Sequence, residues 1–81
     1  MKNVAEFQII GRVGKVKAFD NATRVSVCAN YRRQDENRNW TDDPHWNEVV
    51  VFSKRDRDYI ANNIDTGDLV HVRGKVRQSS F

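Results

Sequence analysis

Apolar and polar residues alternate with a period of two through most of the chain, and the pattern predicts four strands with one helix among them. The clearest segment is Trp46-Asn47-Glu48-Val49-Val50-Val51-Phe52, with five apolar residues in seven and β-branched and aromatic types dominating. Asn47, Val49 and Val51 share one side of such a strand, and Trp46, Glu48, Val50 and Phe52 share the other. Val49 and Val51 are core material. The opposite side carries two large aromatics six residues apart, roughly 20 Å at about 3.3 Å per residue, with a charge between them. A face that bears a charge is expected to look outward. Outward rings on a strand offer a platform for stacking bases; the competing reading is a strand packed between two layers.

From residue 4 to about 16 the alternation predicts one long strand, with Ala5, Phe7, Ile9 and Val13 on one face and Glu6, Gln8 and Arg12 on the other. Gly11 and Gly14 interrupt it, and glycine inside a strand marks a bulge, a bend or a close backbone approach. A strand bent in this way can serve two sheets, a device of small barrels. After turn chemistry at Asp20-Asn21, a second strand is predicted over 23–32. Val25, Val27, Ala29 and Tyr31 lie on its inner face, and Arg24, Ser26, Cys28 and Asn30 on its outer face. The polar stretch 33–45 is expected to be a long hairpin loop, apolar only at Trp40, and loops of that length are functional or disordered. Ser53 caps the predicted helix, with Asp56 three positions on, and Tyr59, Ile60, Asn63 and Ile64 form its stripe. Gly67 is the expected left-handed residue of the turn that follows. In the last strand, 69 to about 77, Val70, Val72, Gly74 and Val76 face inward. His71, Arg73, Lys75 and Arg77 form an outer row of one sign, with Phe81 in the same parity.

Composition narrows the function classes. Eighty-one residues make one domain, 1–81, able to bury roughly 60 to 65 % of its unfolded surface. Fourteen basic residues against 11 acidic ones give a net charge of +3, a mild pointer to nucleic acid. Cys28 is the only cysteine, which excludes an internal disulfide and a cysteine zinc cluster. No signal peptide or apolar run of spanning length is visible, so a soluble, cytoplasmic chain without a membrane partner is expected. His45 and His71 lack ligand or triad spacing, and Asp42-Asp43 reads as a turn. No catalysis, metal, cofactor or small-molecule substrate is expected.

Strand, strand, strand, helix, strand is the element order of the first four-fifths of an OB-fold, a partly open Greek-key barrel that binds oligonucleotides. The fold class expected is therefore all-β with one short helix, an OB barrel lacking its fifth strand. Three runs then resemble the bacterial-type single-stranded-DNA-binding protein family. Asn3 with Gly11-Arg12-Val13-Gly14 is similar to its first strand. The run from Trp46 to Lys54 resembles its W-x-x-V-V-x-F-G-K strand, and the run from Thr66 to Arg77 its K-G-D-x-V-x-V-x-G-x-L-R segment. The resemblance implies a homo-oligomer, usually a tetramer with a dimer as the smaller option. It further implies sequence-tolerant binding of single-stranded DNA in replication, recombination and repair, at the nucleoid or on a phage, plasmid or organellar genome.

Carried over by position, Trp46, Phe52 and Phe81 would stack bases, with Tyr31 near the end of strand two and Trp40 in the loop as further candidates. Lys54 and Arg77 match basic positions of the family, and Arg12, Lys15, Arg73 and Lys75 complete the expected phosphate contacts. Two departures stand out. Glu48 lies between the platform aromatics and would repel phosphate unless paired or turned away. The family's fifth strand and acidic tail have no counterpart before Phe81, so a truncated chain, or one completed by a neighbour, is expected. Two rivals remain at this point: an OB-fold accessory of replication restart, and an OB-fold interaction or oligomerisation module whose aromatics anchor an interface.

Overall fold

The computed structural model describes residues 3–77 and contains β1 (Glu6–Ala18), β2 (Thr23–Gln34), β3 (Trp40–Val51), α1 (Lys54–Asn63) and β4 (Leu69–Lys75). The strands form one antiparallel sheet in the order β3-β2-β1-β4. The predicted parity holds in β1 from Phe7 onward. Phe7, Ile9, Gly11 and Val13 turn inward while Gln8, Ile10 and Arg12 face out; Ala5 is exposed.

Gly14 and Lys15 stand opposite Ser26 alone, because Val13 pairs with Val27 but Val16 with Val25. This is a bulge, and the Ser26 hydroxyl fills it by accepting the Lys15 N–H at 2.7 Å. Before the bulge β1 pairs with β4 through Glu6 to Arg12; from Arg12 onward it pairs with β2. One strand thus serves both halves of the sheet, as the paired glycines predict. The loop after the helix straps onto the same place. Gly67 N–H donates to Val13 O at 2.8 Å, Val13 N–H to Asp68 O at 2.9 Å, and the Thr66 hydroxyl to Gly14 O at 2.9 Å. Gly67 takes φ +94°, the left-handed conformation expected of it.

The core is small. Val13, Val25, Val27 and Val49 are buried, Val27 completely, with Ile9, Ile60, Ile64, Val70 and Val72 partly buried around them. Of the helix stripe only Ile60 and Ile64 pack on this cluster; Tyr59 and Asn63 are exposed. Ser53 holds the N-cap position, but its hydroxyl makes no capping bond. Arg57 secures the helix start instead, donating to Phe52 O and to Asp20 O, each at 3.1 Å. Between β3 and β4, the two unpaired edges among the described residues, an apolar cleft of about 180 Å³ opens over Val25, Val49, Ile60, Ile64 and Val70. The four described strands thus leave the barrel open on this side. No helix of the described residues is long and apolar enough to cross a membrane.

Residues 33–45 correct the reading made from composition. They continue the β2–β3 ribbon, paired without interruption to Gln34 opposite Trp40, and only 35–39 turn. Asp35 builds that turn, its carboxylate accepting the N–H groups of Asn37 and Asn39 at 2.9 and 2.8 Å. Arg38 supplies the positive φ, 63°. The ribbon runs past the core, so neither of its faces needs apolar residues and the periodic signal fades. Pro44 is tolerated because β3 is an edge strand.

Candidate nucleic-acid interface

β3 runs in uninterrupted register from Trp40 to Val51, so every second residue shares a face. Trp40, Trp46 and Val50 therefore look to the outer side, and Phe52 continues the parity just past the strand end. Trp46 is 61 % exposed, Phe52 71 % and Trp40 58 %. The expectation that the Trp46 strand turns one aromatic face to solvent holds, and that face gains Trp40. The rings stand six residues apart along one edge, roughly 20 Å per interval.

Trp46 has a built seat. Its register row crosses the whole sheet, from Trp46 to Cys28 to Arg12 to Leu69. The far edge of the indole lies over Gly14, where a Cβ would sit 2.5 Å from Cζ3. The ring thus reaches across β2 and its far edge rests on the β1 bulge, while the side chain as a whole stays exposed.

Tyr31 is placed otherwise. It has inner parity but lies beyond the core, 60 % exposed, on the opposite face of the ribbon from Trp40 and Trp46. There it meets His45 edge to face with centroids 5.1 Å apart, and His45 pairs with Asp43 at 3.0 Å. Tyr31 therefore does not join the other rings in one surface. Phe81 lies outside the described residues.

The predicted cations divide in the same way. Lys15 sits in the bulge beside the Trp46 seat, and Arg12 two strands from Trp46, its guanidinium donating to Gly67 O at 3.3 Å. Arg73 and Lys75 lie on β4, the sheet edge farthest from β3, so the rings and the basic row do not run side by side. Nor is that row of one sign in three dimensions. Glu6 stands across from it and pairs with Arg73 at 3.4 Å, while His71 bonds Gln8 at 2.8 Å. Lys54 pairs with Asp58 one helical turn on, at 3.0 Å. Arg77 is exposed past the strand end.

Two further outer-face cations, absent from the expected phosphate contacts, lie on this side of the sheet, Arg24 one strand from β3 and Lys17 two. Arg24 faces Val50 across the β2–β3 pair and Lys17 across the β1–β2 pair. Arg24 also resolves the puzzle of Glu48, binding its carboxylate at 3.1 Å with both side chains 55 % exposed. At the other end of the ribbon, the Arg32 guanidinium lies 5.9 Å from the Trp40 ring centre. What this face presents is apolar ring surface and cations, with two acids among them: Glu48, held by Arg24, and Asp42, which stands opposite Arg32 between Trp40 and Trp46.

The sequence profile described as the Single-strand binding protein family matches residues 4–81. Among solved structures, a Plasmodium falciparum SSB in complex with ssDNA is similar with a TM-score of 0.74 and 23 % identity, over 93 % of this chain and 71 % of that one. At that identity the likeness establishes the fold. No curated protein matches the sequence significantly.

Proposed function

Because the chain belongs to the single-strand binding protein family, we infer that it binds single-stranded DNA, and that the strand lies along the outer face of β3. The observation that carries the placement is Trp46, 61 % exposed with the far edge of its ring seated on Gly14. Trp40 and Phe52 extend the track in both directions. Bases stack on these rings whatever their identity, since each has a π face, and duplex is disfavoured because its bases are already stacked.

Lys15 and Arg12 take the phosphates nearest Trp46; Lys54, Arg73, Lys75 and Arg77 act farther out, the first two by exchanging an acidic partner. Phe81 is assigned to stacking by its family position, and Tyr31 to the reverse of the ribbon. The activity is binding and not catalysis, in the service of replication, recombination and repair, in a cytoplasmic, nucleoid-associated setting. Self-association belongs to this reading, as a tetramer or at least a dimer. Ile10 and Leu69, both exposed on the outer side of β1 and β4, give it an apolar surface.

Titration with oligo(dT) at low salt is expected to quench tryptophan emission and added salt to reverse it. The log–log slope should be roughly −0.7 for each phosphate neutralised. Folded protein that shows neither quenching nor salt reversal would hand the lead to an interaction module. Native mass measured in parallel checks the oligomer.

A further inference from the structure

Resting on the single-strand-binding reading above, we propose that Phe19 and Arg24 form a further nucleotide subsite at the β1–β2 end of the outer face. Glu48 holds it closed until a phosphate takes its place. Arg24 lies opposite Val50, beside the stretch of β3 that separates Trp46 from Phe52. Its guanidinium touches two groups at once: the Glu48 carboxylate at 3.1 Å and the face of Phe19, 5.7 Å from the ring centre. Phe19 itself is 53 % exposed and contributes nothing to the buried core.

An arginine laid over an exposed ring is the unit that Arg32 and Trp40 make at the far end of the ribbon. A planar guanidinium can grip a phosphate through two N–H groups while the ring below takes a base. The two ends differ in one respect. Arg32 has no ion-pair partner among the described residues, whereas Arg24 is held by an acid.

The hold is weak by construction. Both partners are more than half exposed, water screens the pair, and two long side chains lose freedom to make it. A phosphate arriving on the Trp46–Phe52 track can therefore replace the carboxylate at little cost. The exchange has a signature in salt. Arg24 releases cations from the DNA, but the uncovered Glu48 gathers one back, so Arg24 adds almost nothing to the wild-type salt slope. Removing the acid uncovers its share.

Glu48→Gln is expected to bind a dT oligomer about two- to fivefold more tightly at low salt, the size of an exposed charge pair. Its log–log slope should steepen by about 0.7. Adding Arg24→Gln to Glu48→Gln should remove both gains, and Phe19→Ala should weaken binding with the slope unchanged. All these positions are exposed, and melting curves confirm that the variants remain folded. If the double variant matches Glu48→Gln in affinity and slope, or Glu48→Gln binds no tighter than wild type, the subsite is overturned while single-strand binding stands. Wild-type protein that fails to bind oligo(dT) at all overturns both.

Discussion

Trp46→Ala is expected to weaken binding of oligo(dT) by about 1 to 3 kcal/mol, roughly five- to 150-fold, with the far-ultraviolet circular dichroism unchanged. The size follows from one stacked base losing its ring. The specificity follows from where the ring sits. Trp46 is 61 % exposed and outside the buried valine cluster, and the strand beneath it is held by main-chain pairing from Thr23 opposite Val51 to Gln34 opposite Trp40. Its removal uncovers Gly14 but opens no cavity in the core. Because stacking involves no charge, the salt slope should stay at its wild-type value while the whole line shifts to weaker binding. A variant that loses its ordered spectrum would show that Trp46 is structural. One that binds as tightly as wild type would move the track away from β3.

The parts of this molecule that the sequence made legible are those where a period of two meets a buried face. Val25 and Val27, Val49 and Val51, and Val70 and Val72 each announce which side of their strand is wet, and the structure places each side as read. Gly11 announced a close backbone approach and Gly14 the bulge of β1. The β2–β3 ribbon was illegible for the complementary reason: beyond Ala29 and His45 no core lies beneath it, so main-chain pairing alone keeps it extended and composition says loop. Neighbourhood across strands was the other blind spot. Parity put His71, Arg73 and Lys75 on one row but could not show Glu6 and Gln8 standing opposite them. It likewise put Arg24 and Glu48 on outer faces of separate strands, and only the register, Ser26 opposite Glu48, brings them within 3.1 Å. Sequence pattern therefore placed Trp46 and Phe52 on an exposed face, but not Trp40 beside them, Tyr31 on the reverse, or the acids that stand next to the cations.

Gly11 and Gly14 should separate fold from site, because the same added methyl group meets different obstacles at the two positions. At Gly11 a Cβ would press into the Cys28 carbonyl group, 2.6 Å from its carbon and within contact distance of its oxygen. Those atoms are main chain in the middle of the sheet, at the point where β1 passes from β4 to β2, so relief requires the two strands to move apart beside Val13 and Val27. Overpacking of this kind costs about 1 to 3 kcal/mol or more, and in a domain of this size each kcal/mol is worth roughly 4 to 8 °C in Tm. Gly11→Ala should therefore lower Tm by roughly 4 to 24 °C. At Gly14 the nearest atoms are the far edge of the Trp46 indole, at 2.5 Å, and the Ser26 hydroxyl at 2.9 Å. Both are ends of side chains, and the exposed indole can swing away. Gly14→Ala should keep Tm within a few degrees of wild type while changing tryptophan emission and weakening oligo(dT) binding severalfold, through displacement of a ring the substitution does not remove. Wild-type emission and affinity in Gly14→Ala would mean that the indole is not seated on the bulge, and a wild-type Tm in Gly11→Ala would mean that the strands do not approach as closely as described.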